Sequence, residues 1–264
     1  MNAYPIKMTY HVRSYYFGER LIPDLLGERV APDGVVAETW EISDYKDTTG
    51  RVTNGEYAGK TLHDLVTGFP EELVREGWSG PHFPLLEKVL DASHMLPVHL
   101  HPDDETAQKK HGEPHGKTEA WHILWAAEEA TILAGIKEGL TREELFEAFK
   151  VQDYDAVMPR HPVRVGDTVY VPGGIIHTAH PECSLTLSNV GDPVRIEYSG
   201  GTERLEWAES CVLPAAIGEV RVIPEGEASL ISCYVPDLER VVISPLREAG
   251  YSDEEIRGLG QINV

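Results

Sequence analysis

The chain has 264 residues, with 23 Lys and Arg against 44 Asp and Glu, a formal net charge of −21. Hydrophobic residues at 41% and charged residues at 25% are ordinary for a globular protein and exclude wholesale disorder. The negative field repels phosphodiester backbones and anionic lipid, so neither nucleic acid nor a membrane surface is expected as a partner, and an anionic small substrate would need a local basic patch.

From Met1 to Phe17 no uninterrupted apolar run precedes a small-residue cleavage site, so no secretory signal is read there. Nowhere do about 18 apolar residues run together, the length a spanning helix needs. Val35 to Ser43 (VVAETWEIS) reads as a strand and Pro70 to Gly77 as a short helix. Asp103 to Lys110 places acids in a first turn and lysines in a last, which suits a helix dipole. Thr141-Arg142-Glu143-Glu144 matches a capping box and predicts a helix over Thr141 to Lys150; Ser252-Asp253-Glu254-Glu255 repeats the signature. Val163 to Val171, Ser184 to Ser188, Val194 to Tyr198, Glu219 to Ile223, Ala228 to Val235 and Arg240 to Ser244 read as strands divided by turn residues. The texture is mainly β, a sandwich or barrel with a few peripheral helices. The simplest division is one domain over residues 1–205 with a strand-rich extension over 206–264 packed on it. Cys183, Cys211 and Cys233 are odd in number and widely spaced, which suggests neither a disulfide framework nor a thiolate site. They are expected as small core hydrophobes in a reducing cytoplasm.

The chemistry concentrates in LPVHLHPDDETAQKKHGEPHGKTEAWHIL, Leu96 to Leu124. His99 and His101 stand two apart in a strand-like setting, so alternation puts both imidazoles on one face. Glu119 can add a carboxylate, and GDTVYVPGGIIH, Gly166 to His177, delivers His177 after a tight Pro-Gly-Gly turn. Any single histidine is more often a surface residue than a ligand. Four donors in this pattern point to one divalent metal. His11, His63, His82, His94, His111, His115, His122 and His161 keep the loop or surface reading, with His180 a neighbour of the site.

Gly166, Pro172, Gly174 and His177 match the second cupin motif, and His99, His101 and Glu119 resemble the first with a longer interval before the glutamate. The H-P-D-D run followed by G-K-T-E-A-W, together with FPLLEKVLDAS, ETWEIS and NGEYAGKTLHDLV upstream in the same order, resembles the type I mannose-6-phosphate isomerases over roughly residues 13 to 200. That resemblance implies a cupin double-stranded β-helix, a jelly-roll barrel, that holds one zinc through His99, His101, Glu119 and His177. His99 stands where the family usually has glutamine. The resemblance further implies Lys117 and Arg195 as catalytic residues, with Glu38, Lys88 and Asp192 lining the substrate site. Pro97 stands where eukaryotic members carry a serine thought to hold the phosphate, Phe17-Gly18 replaces a tryptophan-glycine element, and Ala179 replaces an aromatic residue. Scaffold and metal are thus implied more directly than the sugar.

The activity implied is interconversion of mannose 6-phosphate and fructose 6-phosphate through a cis-enediol, with Lys117 as acid or base and Arg195 orienting the substrate. Its competitors are isomerisation or epimerisation of another sugar, phosphorylated or not, and a non-catalytic metal-bearing cupin that binds carbohydrate. The partner in each case is a small sugar or sugar phosphate. The oligomeric state is not legible.

Overall fold

The computed structural model describes residues 1–27, 33–179, 183–185, 191–232 and 239–257. Two compact units emerge: Met1–Asp91 with Leu185–Val235, and Ala92–Ser184 with Pro236–Val264. The segment after residue 206 is thereby shared between them.

In the first unit, strands His11–Arg13, Glu38–Ile42 and Glu87–Ala92 run antiparallel, with Arg13 opposite Glu38 and Trp40 opposite Lys88. Glu38–Ile42 lies inside the predicted Val35 to Ser43 strand. Four of its five residues are buried, the pattern of a strand covered on both faces. The helix Leu62–Gly68 follows a capping box that the sequence reading passed over: Thr61 Oγ1 accepts from Asp64 N–H, and the Asp64 carboxylate accepts from Thr61 N–H. Its Leu62, Leu65 and Val66 recur at helical spacing and enter a core with Tyr4, Ile6, Ile42, Val52, Tyr57 and Val212. A separate sheet sets Val194–Tyr198 between Gly201–Leu205 and Arg221–Pro224. Alternation buries Val194 and Ile196 and exposes Arg195.

Burial makes Glu87 of this unit a carboxylic acid at neutral pH. Desolvation, with Glu41 adding like charge, pushes its pKa up to about 8 from the ordinary 4.5, and Ser210 Oγ donates to it at 3.4 Å. The sign follows from linkage. Between pH 4.5 and 8 the unfolded chain has released this proton and the folded chain retains it. The contribution is therefore complete below 4.5 and falls by about 1.4 kcal/mol per pH unit until it is lost above 8. Glu87→Gln should unfold at a higher urea midpoint than the unaltered chain at pH 8 and at the same midpoint near pH 4.5; parallel curves at both would refute the assignment. The neighbouring Cys211, partly buried against the core of Val194, Ile196 and Leu205, has its thiol pushed up to about 12, chiefly by desolvation, which keeps it protonated and unreactive.

In the second unit, a four-stranded antiparallel sheet has the order His99–Leu100, Ile176–Ala179, Thr131–Ala134, Arg160–Pro162. Glu119–Ala126 pairs with Thr168–Val171, with Glu119 opposite Val171. The helix Arg142–Val151 starts as predicted, with both capping-box bonds between Thr141 and Glu144. Leu145, Ala148 and Phe149 face Leu133, Val157 and Met158, while Phe146 stays exposed. Asp253–Arg257 is helical behind the second capping box, where Ser252 and Glu255 exchange bonds.

The secondary structure departs from expectation in several places. Pro70–Leu73 is one turn, shorter than predicted. Asp103 caps the helix Asp104–Thr106, which runs into a π-helical turn, Ala107–His111. Residues 228–232 form no strand, and 233–235 lie outside the described residues, as do 186–188 and His180. Arg240 to Ser244 is helical: Glu239–Ile243 coils directly into Ser244–Glu248. There β-branching misled, because Pro245 suits a helix's first turn and Arg247 reaches back to Glu239 at 3.4 Å and on to Asp253 at 2.9 Å. The fold is mainly β, as expected, although among the described residues no sheet closes on itself into a barrel. No helix among them is long and apolar enough to cross a membrane.

Candidate metal centre

The second unit brings His99, His101, Glu119 and His177 together, with one potential ligand atom from each lying within 4.8 Å of the others. Strand register does most of this. His177 pairs directly with His99, and the two strands are tied before the site by Leu96 N–H to the Ala179 carbonyl and Thr178 Oγ1 to the Leu96 carbonyl. Gly174 takes φ +92°, a left-handed conformation that favours glycine, and its N–H donates to the His101 carbonyl at 2.8 Å. The Pro-Gly-Gly turn is thereby locked to the His-x-His strand.

The imidazoles are preset for coordination. His99 Nδ1 lies 2.7 Å from the Pro97 carbonyl and His177 Nδ1 2.8 Å from the Ile175 carbonyl. A carbonyl only accepts, so each Nδ1 carries the proton and each Nε2 offers a lone pair. His177 is 1% exposed, and its Nε2 makes no hydrogen bond yet faces Glu119 Oε2 at 3.3 Å. Two lone pairs at that distance in a buried place are costly unless a cation lies between them. His101 Nε2 stands 3.6 Å from Glu119 Oε1. Ligands about 2.0–2.1 Å from a tetrahedral ion are about 3.3 Å apart, so the donor set fits a zinc-like divalent ion. Desolvation lowers the pKa of His99, and desolvation followed by the Lys117 charge lowers that of His101 to about 4, which favours neutral, ligand-ready rings.

Lys117 joins this cluster, with Nζ 3.1 Å from Glu119 Oε1 and 3.2 Å from His101 Nε2. Lys117 stands two residues before Glu119, a spacing that puts both on one side of an extended segment. Its delivery also depends on Gly116, where a Cβ would sit 2.3 Å from the Pro102 carbonyl oxygen. Gly116 N–H donates to Asp104 Oδ1, and Lys117 N–H donates to the Pro102 carbonyl. Close backbone approach therefore presses the lysine segment onto the histidine segment. Trp121, not singled out from sequence, lies on the same strand face as Glu119 and packs its ring edgewise 5.2 Å from His177. Its position two residues after Glu119 was the available signal.

The other candidates belong to the first unit and have contacts of their own. Glu38 is buried; Lys88 Nζ binds one of its oxygens at 2.7 Å and Trp40 Nε1 binds the other at 2.7 Å. Asp192 Oδ2 accepts from Glu227 N–H at 2.7 Å, holding the turn beside Gly226. Arg195 is 45% exposed and lies 3.4 Å from Glu225, which also pairs with Arg204.

Comparison with known proteins places this geometry. Residues 7–122 match the family model for the catalytic domain of type I phosphomannose isomerase. The mannose-6-phosphate isomerase of Streptococcus mutans is 38% identical over 146 residues, which cover 55% of this chain and 45% of that protein. YvyI of Bacillus subtilis, which carries the same family name, is 33% identical over 219 residues, 80% of this chain and 68% of its own length. The chain spans about half the length of most of the curated relatives it matches. A crystal structure of the mannose 6-phosphate isomerase from Bacillus subtilis shares the fold, with TM-score 0.75 at 21% identity over 83% of this chain and 96% of that one. The family model spans His99, His101 and Glu119, and the match to YvyI extends across two thirds of that relative, so the chain belongs to the type I mannose-6-phosphate isomerase family.

Proposed function

We propose that the chain is a zinc-dependent aldose–ketose isomerase that interconverts mannose 6-phosphate and fructose 6-phosphate. The observation that carries this reading is the convergence of His99, His101, Glu119 and His177, with Lys117 against two of them, in a member of this family. The reaction moves a proton between C1 and C2 while the carbonyl changes place, and the enediol between them gathers negative charge on two oxygens. A divalent ion held by the four side chains would supply Lewis acidity for that charge. Lys117 is the acid or base: its amine is half-exposed at the edge of the cluster, where a substrate can meet it, and its backbone is anchored by Pro102. Arg195, whose fixed charge makes it a poor base, is assigned to orient the sugar; Glu38, Lys88 and Asp192 are assigned to substrate contacts. Those four roles rest on the family resemblance. The cytoplasm is the proposed compartment, in keeping with the free Cys211 thiol.

Pro97 favours a second reading, turnover of an unphosphorylated sugar, because its ring offers no hydroxyl to a phosphate. Proton NMR in deuterated water separates the two. Zinc-loaded chain should convert mannose 6-phosphate with deuterium entering at carbon, and a chelator should stop it. Conversion of free mannose alone would move the assignment to the second reading, and metal binding without exchange in either sugar would refute the first and leave another sugar or a non-catalytic carbohydrate-binding cupin.

A further inference from the structure

The first unit carries another cluster of ligand-type side chains, assembled from three places in the chain. Asp44 follows the strand Glu38–Ile42, His63 is the second residue of the helix Leu62–Gly68, and His82 precedes the strand Glu87–Ala92. One ligand-type atom from each lies within 4.8 Å of the other two. His63 Nδ1 stands 3.2 Å and His82 Nδ1 3.6 Å from the same oxygen, Asp44 Oδ2. We propose that Asp44, His63 and His82 form a second metal site, which takes one divalent ion of the zinc class and ties this strand end, helix start and loop together.

Three observations support the site. The spacing fits, since donors about 2.0–2.1 Å from one ion are about 3.3 Å apart. The carboxylate is prepositioned: Phe83 N–H donates to Oδ2 at 2.9 Å and Thr49 Oγ1 to Oδ1 at 3.3 Å, the outer contacts that hold a ligating carboxylate in place. The Asp44 side chain is 1% exposed, and its ion-pair partners among the described residues are these two imidazoles, which are charged only when protonated. A buried carboxylate whose ion-pair partners carry no fixed charge gains from a cation. The rings are about half exposed, His63 at 47% and His82 at 56%, so an ion can enter and keep water or an anion in its remaining positions. Two imidazoles and one carboxylate suit zinc, cobalt or nickel, whereas calcium and magnesium prefer oxygen throughout. None of the three residues belongs to the catalytic proposal, so the two stand or fall separately.

The test counts zinc ions per chain by calorimetry and native mass spectrometry. It compares the unaltered chain with His63→Ala/His82→Ala and, independently, with His177→Ala. The double variant should bind one ion fewer than the unaltered chain or bind that ion at least about 100-fold more weakly. Its zinc-dependent rise in melting temperature should be smaller than that of the unaltered chain, while it still turns over substrate. Both histidines are exposed enough for the variant to fold, and circular dichroism in chelator checks that it does. Asp44→Asn should weaken the same ion. An unchanged zinc count and affinity in the double variant would overturn the site and leave a hydrogen-bonded Asp–His cluster. So would loss of every ion in His177→Ala alone.

Discussion

Lys117→Ala should lower kcat by about 10²–10⁴-fold, roughly 3–5 kcal/mol of barrier, if the lysine moves the proton between C1 and C2. The amine also touches Glu119 and His101, so part of any loss could reach the reaction through the metal ligands. Two measurements separate these routes. Zinc content and affinity should change little in Lys117→Ala, since the ligand atoms remain. Lys117→Arg should retain a cation beside Glu119 but recover little turnover, because a guanidinium does not exchange protons near neutral pH. Deuterium entry at carbon should fall with kcat in both variants. Near-normal turnover in Lys117→Ala with zinc at saturation would take the lysine out of the mechanism.

Metal removal should have an effect of comparable size. Lewis-acid stabilisation of a developing oxyanion is worth several kcal/mol, so chelation should reduce turnover by about 10³-fold or more, and added zinc should restore it. His177→Ala should reproduce the loss without rescue at ordinary zinc concentrations. That side chain is buried against Trp121, so its deletion also leaves a cavity that costs stability. Chelation of the unaltered chain isolates the chemical contribution from that structural one. Full activity after chelation, with zinc absent by metal analysis, would refute the metal-dependent reading.

Local rules account for what was readable in the chain. Both predicted capping boxes close as drawn, because a cap needs only residues three apart. The same rule would have found Thr61 and Asp64, had aspartate been accepted in place of glutamate at the third position. His99 and His101 could be put on one face because a strand repeats every two residues. Val194–Tyr198 matched expectation to the residue, since alternating burial marks a half-covered sheet. At Arg240 to Ser244 the local signal failed: three β-branched residues read as a strand, but Pro245 and the Arg247 contacts favour a helical path.

The candidate site divides along the same line. From the sequence alone came the donor types, the His-x-His face, the glycine turn before His177 and the family they resemble. Tertiary structure decided that His177 pairs with His99, that its Nε2 is buried without a hydrogen bond, and that Gly116 lets Lys117 reach Glu119. It also drew Glu38 onto Lys88 and Trp40, and turned two histidines read as surface residues, His63 and His82, toward a buried Asp44. Periodicity and capping act over a few residues, so a single chain displays them. Which distant side chains meet depends on strand register and backbone approach across scores of residues, and those are set only when the whole core packs.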